Sequence, residues 1–284
     1  MEKDLLVSLI IATLGRTEEL TLFFESLLAS EEKSYEVIVV DQNEDDRLRP
    51  IVEKYRSYFP LQHRRLQAKN ASLARNTGAA LARGYWLAFP DDDCLYTPQT
   101  LSLLSKLEGP ADPEMILCAL FDLEGQPLNQ YRRRHSKITF LNFTGKVHEP
   151  AMFLHRKVFE AIGGYDVTFG PGSENYAAEA YELVTRCMKR KVRIVFNADT
   201  VVLHPRKIPP YDAAAMAVGY RYSYGFGCLL AKHYGVWPAY YLITYVMRFI
   251  AKMLLFKGGR KEFEIQRFKG MWNGFKNRRK EEHA

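Results

Sequence analysis

Three consecutive carboxylates, Asp91, Asp92 and Asp93, form the stretch of this sequence best suited to do chemistry. They follow a short apolar run, residues 85–89, which is typical of a buried strand. Adjacent like charges repel one another, and a folded protein holds them together most easily around a cation. A divalent ion at the carboxyl end of a parallel strand is a common means of holding a diphosphate. The alternative is a solvated acidic turn.

Apolar runs alternate with amphipathic segments along residues 5–205, and this order predicts an α/β domain with a mostly parallel sheet. Strands are predicted over residues 5–12, 35–40, 61–66, 85–89, 115–121, 151–155, 193–196 and 200–203. Helices are predicted over residues 18–30, capped by Thr17, and over 45–58, 71–82, 99–107, 158–162 and 176–189, the last capped by Asn175. Since Thr13, Asp41 and Asp91 each follow a strand, we expect one crevice to gather them.

The composition is that of an ordinary globular protein, with 47% hydrophobic and 26% charged residues among 284. The four cysteines are widely spaced and form no CxxC pair, which argues against a zinc ribbon or a disulfide scaffold and favours a reducing compartment. The first apolar run is too short and too poorly flanked for a signal peptide, so we interpret it as the first core strand.

The motifs, taken in order, resemble those of the family 2 glycosyltransferases, which have the GT-A fold. They are SLIIAT (8–13), VIVVD (37–41), ARNTG (74–78), FPDDD (89–93), GGYD (163–166), and Glu179 with Glu182, Leu183 and Arg186. The resemblance covers residues 5–205. It implies a Rossmann-like, mostly parallel sheet with flanking helices. It also implies transfer of a sugar from a nucleotide-sugar donor, usually a UDP-sugar.

The same resemblance implies roles for individual residues. Those expected at the donor are Ala12, Thr13, Arg16, Asp41, Arg75, Asp91 and Asp92, with Asp41 bonding the base. Those expected to bind Mn²⁺ or Mg²⁺ are Asp91, Asp93 and His204. A hard cation suits a diphosphate leaving group, on which charge develops. Asp41 as a turn residue, Arg75 as a surface helix residue and His204 as an ordinary histidine remain open.

An alanine stands where the resemblance implies the general base. In this inverting family, an Asp that follows a Glu at the start of a helix deprotonates the acceptor hydroxyl. Here Glu179 matches the Glu, and Ala180 replaces the Asp. An engineered knock-out is the favoured explanation, because the flanking motif is intact. The others are a natural variant with Glu179 as base and a binder without turnover. Glu179 and Glu182 could also simply complement the helix dipole.

Residues 211–284 predict a helical extension of a catalytic domain that spans residues 1–210. Residues 220–227 look like a glycine-broken aromatic stretch, and the apolar run 236–247 is too short for a spanning helix, which needs about 20 residues. Aromatic residues and cations suit a helix in the membrane interface. We therefore predict peripheral contact through residues 220–280 with the cytoplasmic face of a bacterial inner membrane. The alternative is a soluble extension that packs on the domain or on another copy.

Membrane contact suggests a glycan or polyprenyl-diphosphate-linked glycan as acceptor, in polysaccharide assembly. One rival is a sugar nucleotidyltransferase, although residues 12–16 make a poor glycine-rich loop. The other is a non-catalytic nucleotide-sugar-binding protein of an assembly complex. No nucleic-acid partner is expected, because only the basic tail supports one. The arginines at 132–134 are expected in an exposed loop.

Overall fold

The computed structural model describes residues 5–107, 112–128, 134–206 and 209–281. Arg132 and Arg133, expected in an exposed loop, lie outside the described residues. The chain divides into two compact units. The first comprises Met1–Tyr165 and Leu183–Arg206, and the second comprises Asp166–Glu182 and Lys207–Ala284. The predicted division at residue 210 stays a prediction.

All strands of the described residues belong to the first unit and join in one sheet. They are β1 (Val7–Thr13), β2 (Tyr35–Asp41), β3 (Leu61–Arg65), β4 (Trp86–Ala88), β5 (Leu95–Tyr96), β6 (Met115–Phe121), β7 (Ser136–Lys137), β8 (Met152–His155) and β9 (Ile194–Leu203). Their order is β3-β2-β1-β4-β8-β6-β9-β5, with β7 paired to β9. The pairs β1–β2, β1–β4, β2–β3 and β6–β9 are parallel, and the other pairs are antiparallel. The predicted α/β, mostly parallel architecture is confirmed.

The first four helices belong to the first unit, the last three belong to the second, and the fifth crosses the boundary between them. The helices are α1 (Glu18–Leu28), α2 (Arg49–Tyr55), α3 (Ala71–Ala79), α4 (Arg156–Ala161), α5 (Glu179–Lys189), α6 (Ala213–Lys232), α7 (Val236–Leu255) and α8 (Gly258–Glu281). Short 3₁₀ turns occur at Leu104–Lys106 and Glu149–Ala151.

The main core lies between the sheet and α1. The strand β1 is apolar on both faces because both are covered, and α1 buries the face that carries Phe23 and Phe24. The ring of Phe23 meets Tyr96 edge-on at 5.4 Å. Each such side chain stabilises the fold by about 1.5–3 kcal/mol when fully buried. Thr17 occupies the N-cap position of α1, as predicted. Its side chain makes no capping hydrogen bond, so the predicted side-chain cap is wrong.

The helix predicted over residues 45–58 is shorter, at Arg49–Tyr55, and two further segments differ from the predicted helices. The expected helix over residues 99–107 is wrong, because only Leu104–Lys106 forms a 3₁₀ turn there. The hydroxyl of Thr100 accepts from Thr97 N and donates to Val201 O, and such local bonds compete with a helix. The helix expected to begin at residue 176 begins at Glu179 instead, so Asn175 is not its cap.

The glycine-broken stretch predicted in the second unit is instead part of the continuous helix α6. Gly219 and Gly227 of this helix, and Gly270 and Gly274 of α8, lie where the two helices touch. A Cβ on Gly227 would overlap Met271 O, and one on Gly274 would overlap Tyr224 O. The glycines therefore allow main chain to pack against main chain. Within the described residues, none of these helices has the length and hydropathy needed to traverse a bilayer.

Candidate active site

The carboxyl ends of β1 and β2 bring two predicted site residues side by side. Thr13 pairs in register with Asp41, and Ala12 precedes it, half-buried, opposite Val40. The loops that follow are tied together, since Gly15 N donates to Asn43 Oδ1 at 2.7 Å. The predicted shared edge for Thr13 and Asp41 is therefore present in the sheet.

Asp41 is fully buried and its carboxylate is held from several sides. Its Oδ1 accepts from Asn43 N and Nδ2, both at 2.8 Å. Its Oδ2 lies 3.0 Å from His63 Nε2 and 3.9 Å from Arg65 Nε. These donors fix the orientation of Asp41 at the end of β2, and His63 and Arg65 come from the neighbouring strand β3. Sequence reasoning missed both, because β3 showed only a weak strand pattern.

The acidic triplet follows β4 and turns back towards the end of β1. Thr13 Oγ1 donates to Asp92 Oδ2 at 2.7 Å. Arg16 Nη1 lies 2.5 Å from Asp92 Oδ1 and 2.8 Å from Asp93 Oδ2. Burial raises the pKa of Asp92, and the Thr13 hydrogen bond and the Arg16 charge offset only part of that rise. Thr13, Arg16 and the triplet thus form one cluster.

A metal-ligating group lies within this cluster. Asp91, Asp93 and His204 each offer one ligand atom, and these atoms lie within 4.8 Å of one another. His204 Nε2 is 3.2 Å from Asp93 Oδ1 and 3.7 Å from Asp91 Oδ2. Its Nδ1 lies 2.9 Å from Pro205 O, an acceptor only, so Nδ1 carries a proton, and Nε2 of the neutral imidazole would be free to ligate a cation. Two carboxylates and one imidazole fit Mn²⁺ or Mg²⁺.

The pKa of His204 reflects the same surroundings. Burial alone would lower it, but the hydrogen bond to Asp93 and the charges of Asp93 and Asp91 outweigh that effect and raise it. The negative charges of Asp91 and Asp93 therefore act on the point where a cation would lie.

Arg75 is a buried residue of the site and not a surface helix residue. Its exposed fraction is 5%, and its Nη2 lies 2.6 Å from Glu149 Oε2 and 3.4 Å from Asp91 Oδ1. Glu149, at 8% exposure, comes from the 3₁₀ turn before β8. The sequence showed no signal for Glu149, since the turn is short and distant in sequence from Arg75.

The asparagine of the ARNTG motif is structural. Asn76 Oδ1 accepts from Tyr165 N, and Asn76 Nδ2 donates to Tyr165 O, both at 2.8 Å. The preceding Gly164 has φ +69°, and a Cβ there would lie 2.6 Å from Asn76 Oδ1. The ARNTG and GGYD motifs therefore pack against each other, through the side chain of Asn76 and the backbone of Gly164 and Tyr165.

Glu179 and Ala180 belong to the second unit, at the start of α5. Glu179 is half-buried, and Ala180 is 8% exposed. Just before them, Tyr176 and Ala178 have φ values of 61° and 72°, a region that non-glycine residues rarely occupy. Such strain costs of order 1–3 kcal/mol per residue and is concentrated at functional sites.

Glu182 does not resemble a solvent-facing base. It is fully buried, and its Oε1 lies 2.6 Å from Lys232 Nζ and 3.3 Å from His233 Nε2. Lys232 Nζ also lies 2.5 Å from Asp166 Oδ2. These charges pair Asp166 and the first turn of α5 with the end of α6, within the second unit.

Comparison with known proteins agrees with this architecture. Residues 8–163 match the family model described as Glycosyl transferase family 2. The match covers more than half of the chain, and the chain belongs to this family.

One curated relative is an uncharacterized glycosyltransferase from Haemophilus influenzae, 28% identical over 169 residues. The alignment covers 56% of each protein, so the chain spans little more than half the length of this relative.

Two solved structures share the fold. One is S. aureus TarS 1-349 in complex with UDP, with TM-score 0.65 and 16% identity, covering 98% of this chain and 91% of that one. The other is the mannosyltransferase PcManGT from Pyrobaculum calidifontis in complex with GDP-Man and Mn²⁺, with TM-score 0.63 and 16% identity, covering 94% and 87%.

Proposed function

We propose that this protein transfers a sugar from a nucleoside diphosphate sugar to an acceptor hydroxyl, with inversion and with a divalent cation. The observation that carries the proposal is the group of Asp91, Asp93 and His204 beside Thr13, at the carboxyl edge of the sheet. Ligands of parallel α/β sheets bind at this edge. The family membership and the nucleotide complexes of the two structural relatives support the same reading.

Different residues are proposed to bind different parts of the donor. Asp41 is proposed to bond the base, which requires His63 to move away from its Oδ2, because the Asp41 side chain is fully buried. Arg75, held by Glu149, offers a positive charge near Asp91, on the side where a phosphate would lie. Asp91, Asp93 and His204 would hold Mn²⁺ or Mg²⁺. When bound, that ion stabilises the charge that develops on the departing diphosphate.

The test begins with binding. Titration calorimetry should show that UDP binds only with Mn²⁺ or Mg²⁺, and that Asp93→Asn loses this metal-dependent binding. UDP-GlcNAc, present in another complex of TarS 1-349, and GDP-mannose, present in the PcManGT complex, are the first donors to screen for sugar release and transfer. Binding of UDP without any effect of Mn²⁺ would contradict the assignment. Pyrophosphate release from a nucleoside triphosphate and a sugar phosphate would instead indicate the nucleotidyltransferase.

The general base is the second part of the proposal. We propose that Ala180 marks an impaired enzyme, and that Ala180→Asp raises the rate of sugar transfer by about 10²–10⁴-fold, the usual contribution of a general base. Glu179→Gln in the chain that keeps Ala180 is the matched variant. If it abolishes a measurable rate, Glu179 is the base and Ala180 is a natural variation. Metal-dependent nucleotide binding without turnover, persisting in Ala180→Asp, would favour the non-catalytic binding protein.

The acceptor is proposed to be a glycan or a polyprenyl-diphosphate-linked glycan of polysaccharide assembly. Residues 220–280 would hold the protein at the cytoplasmic face of a bacterial inner membrane. The support is the exposed apolar side chains and the basic residues of this region. Radiolabelled donor, offered with organic-extracted membrane lipid or with soluble glycan, distinguishes the two acceptors. Label that enters neither fraction would contradict this part of the proposal.

A further inference from the structure

The helix α7 carries a row of exposed apolar side chains, here called the α7 face. Its members recur at intervals of four and three residues: Val236, Tyr240, Ile243, Met247, Ile250 and Leu254. Each is exposed by between 46% and 91%. At 3.6 residues per turn, this spacing places all six on one side of the helix. Contiguous exposed apolar surface of this kind marks a binding surface.

The opposite side of α7 is already occupied within the second unit. Tyr241 is buried. Phe249 stacks on Phe268 of α8 with ring centroids 4.1 Å apart, and Lys252 Nζ lies 2.9 Å from Glu264 Oε2. These contacts fix the rotation of α7 on α8. The α7 face therefore points away from the core of its own unit and needs a partner of another kind.

A second copy of the chain is the first partner to consider. Apolar residues spaced by four and three form the seam of a coiled coil, in which the flanking positions usually carry charges. The flanking positions of α7 carry none: Trp237, Thr244 and Ala251 on one side, and Ala239, Val246 and Met253 on the other. The uncharged strip is thus broader than a two-helix seam, and nothing at its margin would set a register.

A lipid surface fits the charges better. The helix α7 contains no Asp or Glu, and its exposed cation is Arg248. Directly after it come Lys257, Arg260 and Lys261, all exposed. An apolar strip with tryptophan and tyrosine, bordered by cations, has the composition of a helix lying in a bilayer interface. Each cation near an anionic surface adds to the binding.

We propose that the α7 face inserts into the interfacial layer of a bilayer that contains anionic lipid, with α7 parallel to the membrane plane. This inference deepens the proposed function, on which its biological meaning rests, by naming the surface through which the protein reaches a membrane acceptor. The lipid contributes two features: apolar chains for the strip and anionic headgroups for the cations that follow it.

The experiment uses the full chain and sedimentation with vesicles. Vesicles of phosphatidylglycerol and phosphatidylethanolamine should bind the protein, and pure phosphatidylcholine vesicles should bind it more weakly. In Met247→Glu/Ile250→Glu, binding to the anionic vesicles should fall by at least about 20-fold, since each charge near the surface changes binding by about fivefold. The matched control, Leu22→Glu/Tyr58→Glu, changes two exposed apolar residues of the first unit and should bind as the natural chain does.

Two results would overturn the proposal. One is equal vesicle binding by the natural chain and by Met247→Glu/Ile250→Glu. The other is a dimer in light scattering that this variant abolishes while neither form binds vesicles, which would assign the α7 face to a second copy. Metal-dependent binding of UDP, measured on the same samples, should be unchanged by the variant. A loss of vesicle binding is thereby separated from a failure of the proposed glycosyl transfer, and an unchanged circular dichroism spectrum shows that the helices of the variant are folded.

Discussion

Replacing Glu149 by Gln should weaken the binding of Mn²⁺, although Glu149 is not itself a proposed ligand. In the natural chain, Arg75 Nη2 lies 2.6 Å from Glu149 and 3.4 Å from the proposed ligand Asp91. The glutamine keeps the shape but removes the charge, so the buried guanidinium would move towards Asp91. Arg75 would then compete with the cation for the same carboxylate.

The magnitude follows from Coulomb's law. With about 332/(εr) kcal/mol and an effective dielectric constant of about 20, shortening the distance from 3.4 Å to about 2.8 Å strengthens the Arg75–Asp91 attraction by about 1 kcal/mol. That energy corresponds to about a fivefold weaker binding of Mn²⁺. The loss of the negative charge of Glu149 acts in the same direction, so fivefold is the smaller effect to expect.

The assay is Mn²⁺ binding without nucleotide, followed by electron paramagnetic resonance of the unbound ion. Glu160→Gln is the control, because Glu160 pairs with Arg156 at an exposed position on α4. Circular dichroism verifies that Glu149→Gln is folded at the assay temperature. Unchanged or tighter Mn²⁺ binding by Glu149→Gln would refute the reasoning, since it would mean that Glu149 does not restrain Arg75.

Three further predictions concern stability and the metal. Gly274→Ala should lower the free energy of unfolding by about 1–3 kcal/mol in denaturant titration, because its methyl group would overlap Tyr224 O; an unchanged midpoint would contradict the close contact. Burial alone would raise the pKa of Asp166, but the hydrogen bonds from Lys232 and Thr168 outweigh burial and lower the pKa overall. The contribution of Asp166 to the free energy of unfolding is therefore present above pH about 4 and is lost as the pH falls through the lowered pKa. The stability difference between the natural chain and Asp166→Asn should therefore shrink in acid unfolding titrations below pH about 4, and a constant difference would be inconsistent with this. Chelation by EDTA should abolish the binding of UDP, and added Mn²⁺ should restore it. The same Mn²⁺ concentration should not restore UDP binding in Asp93→Asn.

Much of the fold could be predicted because its signals are local. The buried strands β1, β2 and β6 are continuous apolar runs, and α1 has a clear helical periodicity. The secondary-structure predictions that failed are in segments whose conformation depends on tertiary contacts. The glycines of α6 suggest a break when the segment is considered alone, but they are favourable in a helix whose partner approaches its main chain.

The sequence predicted where the residues of the candidate site lie along the strands. It did not predict which side chains pair with one another. The sequence indicated that Thr13, Asp41 and the triplet lie at strand ends. It did not indicate that Arg16 would bridge Asp92 and Asp93, or that Glu149 would meet Arg75. Pairings across many residues depend on how loops close, for which a single sequence carries no periodic signal. The roles of these residues remain proposals.

The contact between α6 and α8 has a consequence for how this part of the chain can change. Gly270 and Gly274 lie against the carbonyl oxygens of Tyr220 and Tyr224. One inserted residue within α8, ahead of these glycines, would turn them by about 100° and bring larger side chains to those oxygens. The length of this stretch is therefore constrained more tightly than its composition: outward-facing positions tolerate substitution, whereas insertions and deletions would push the two backbones apart.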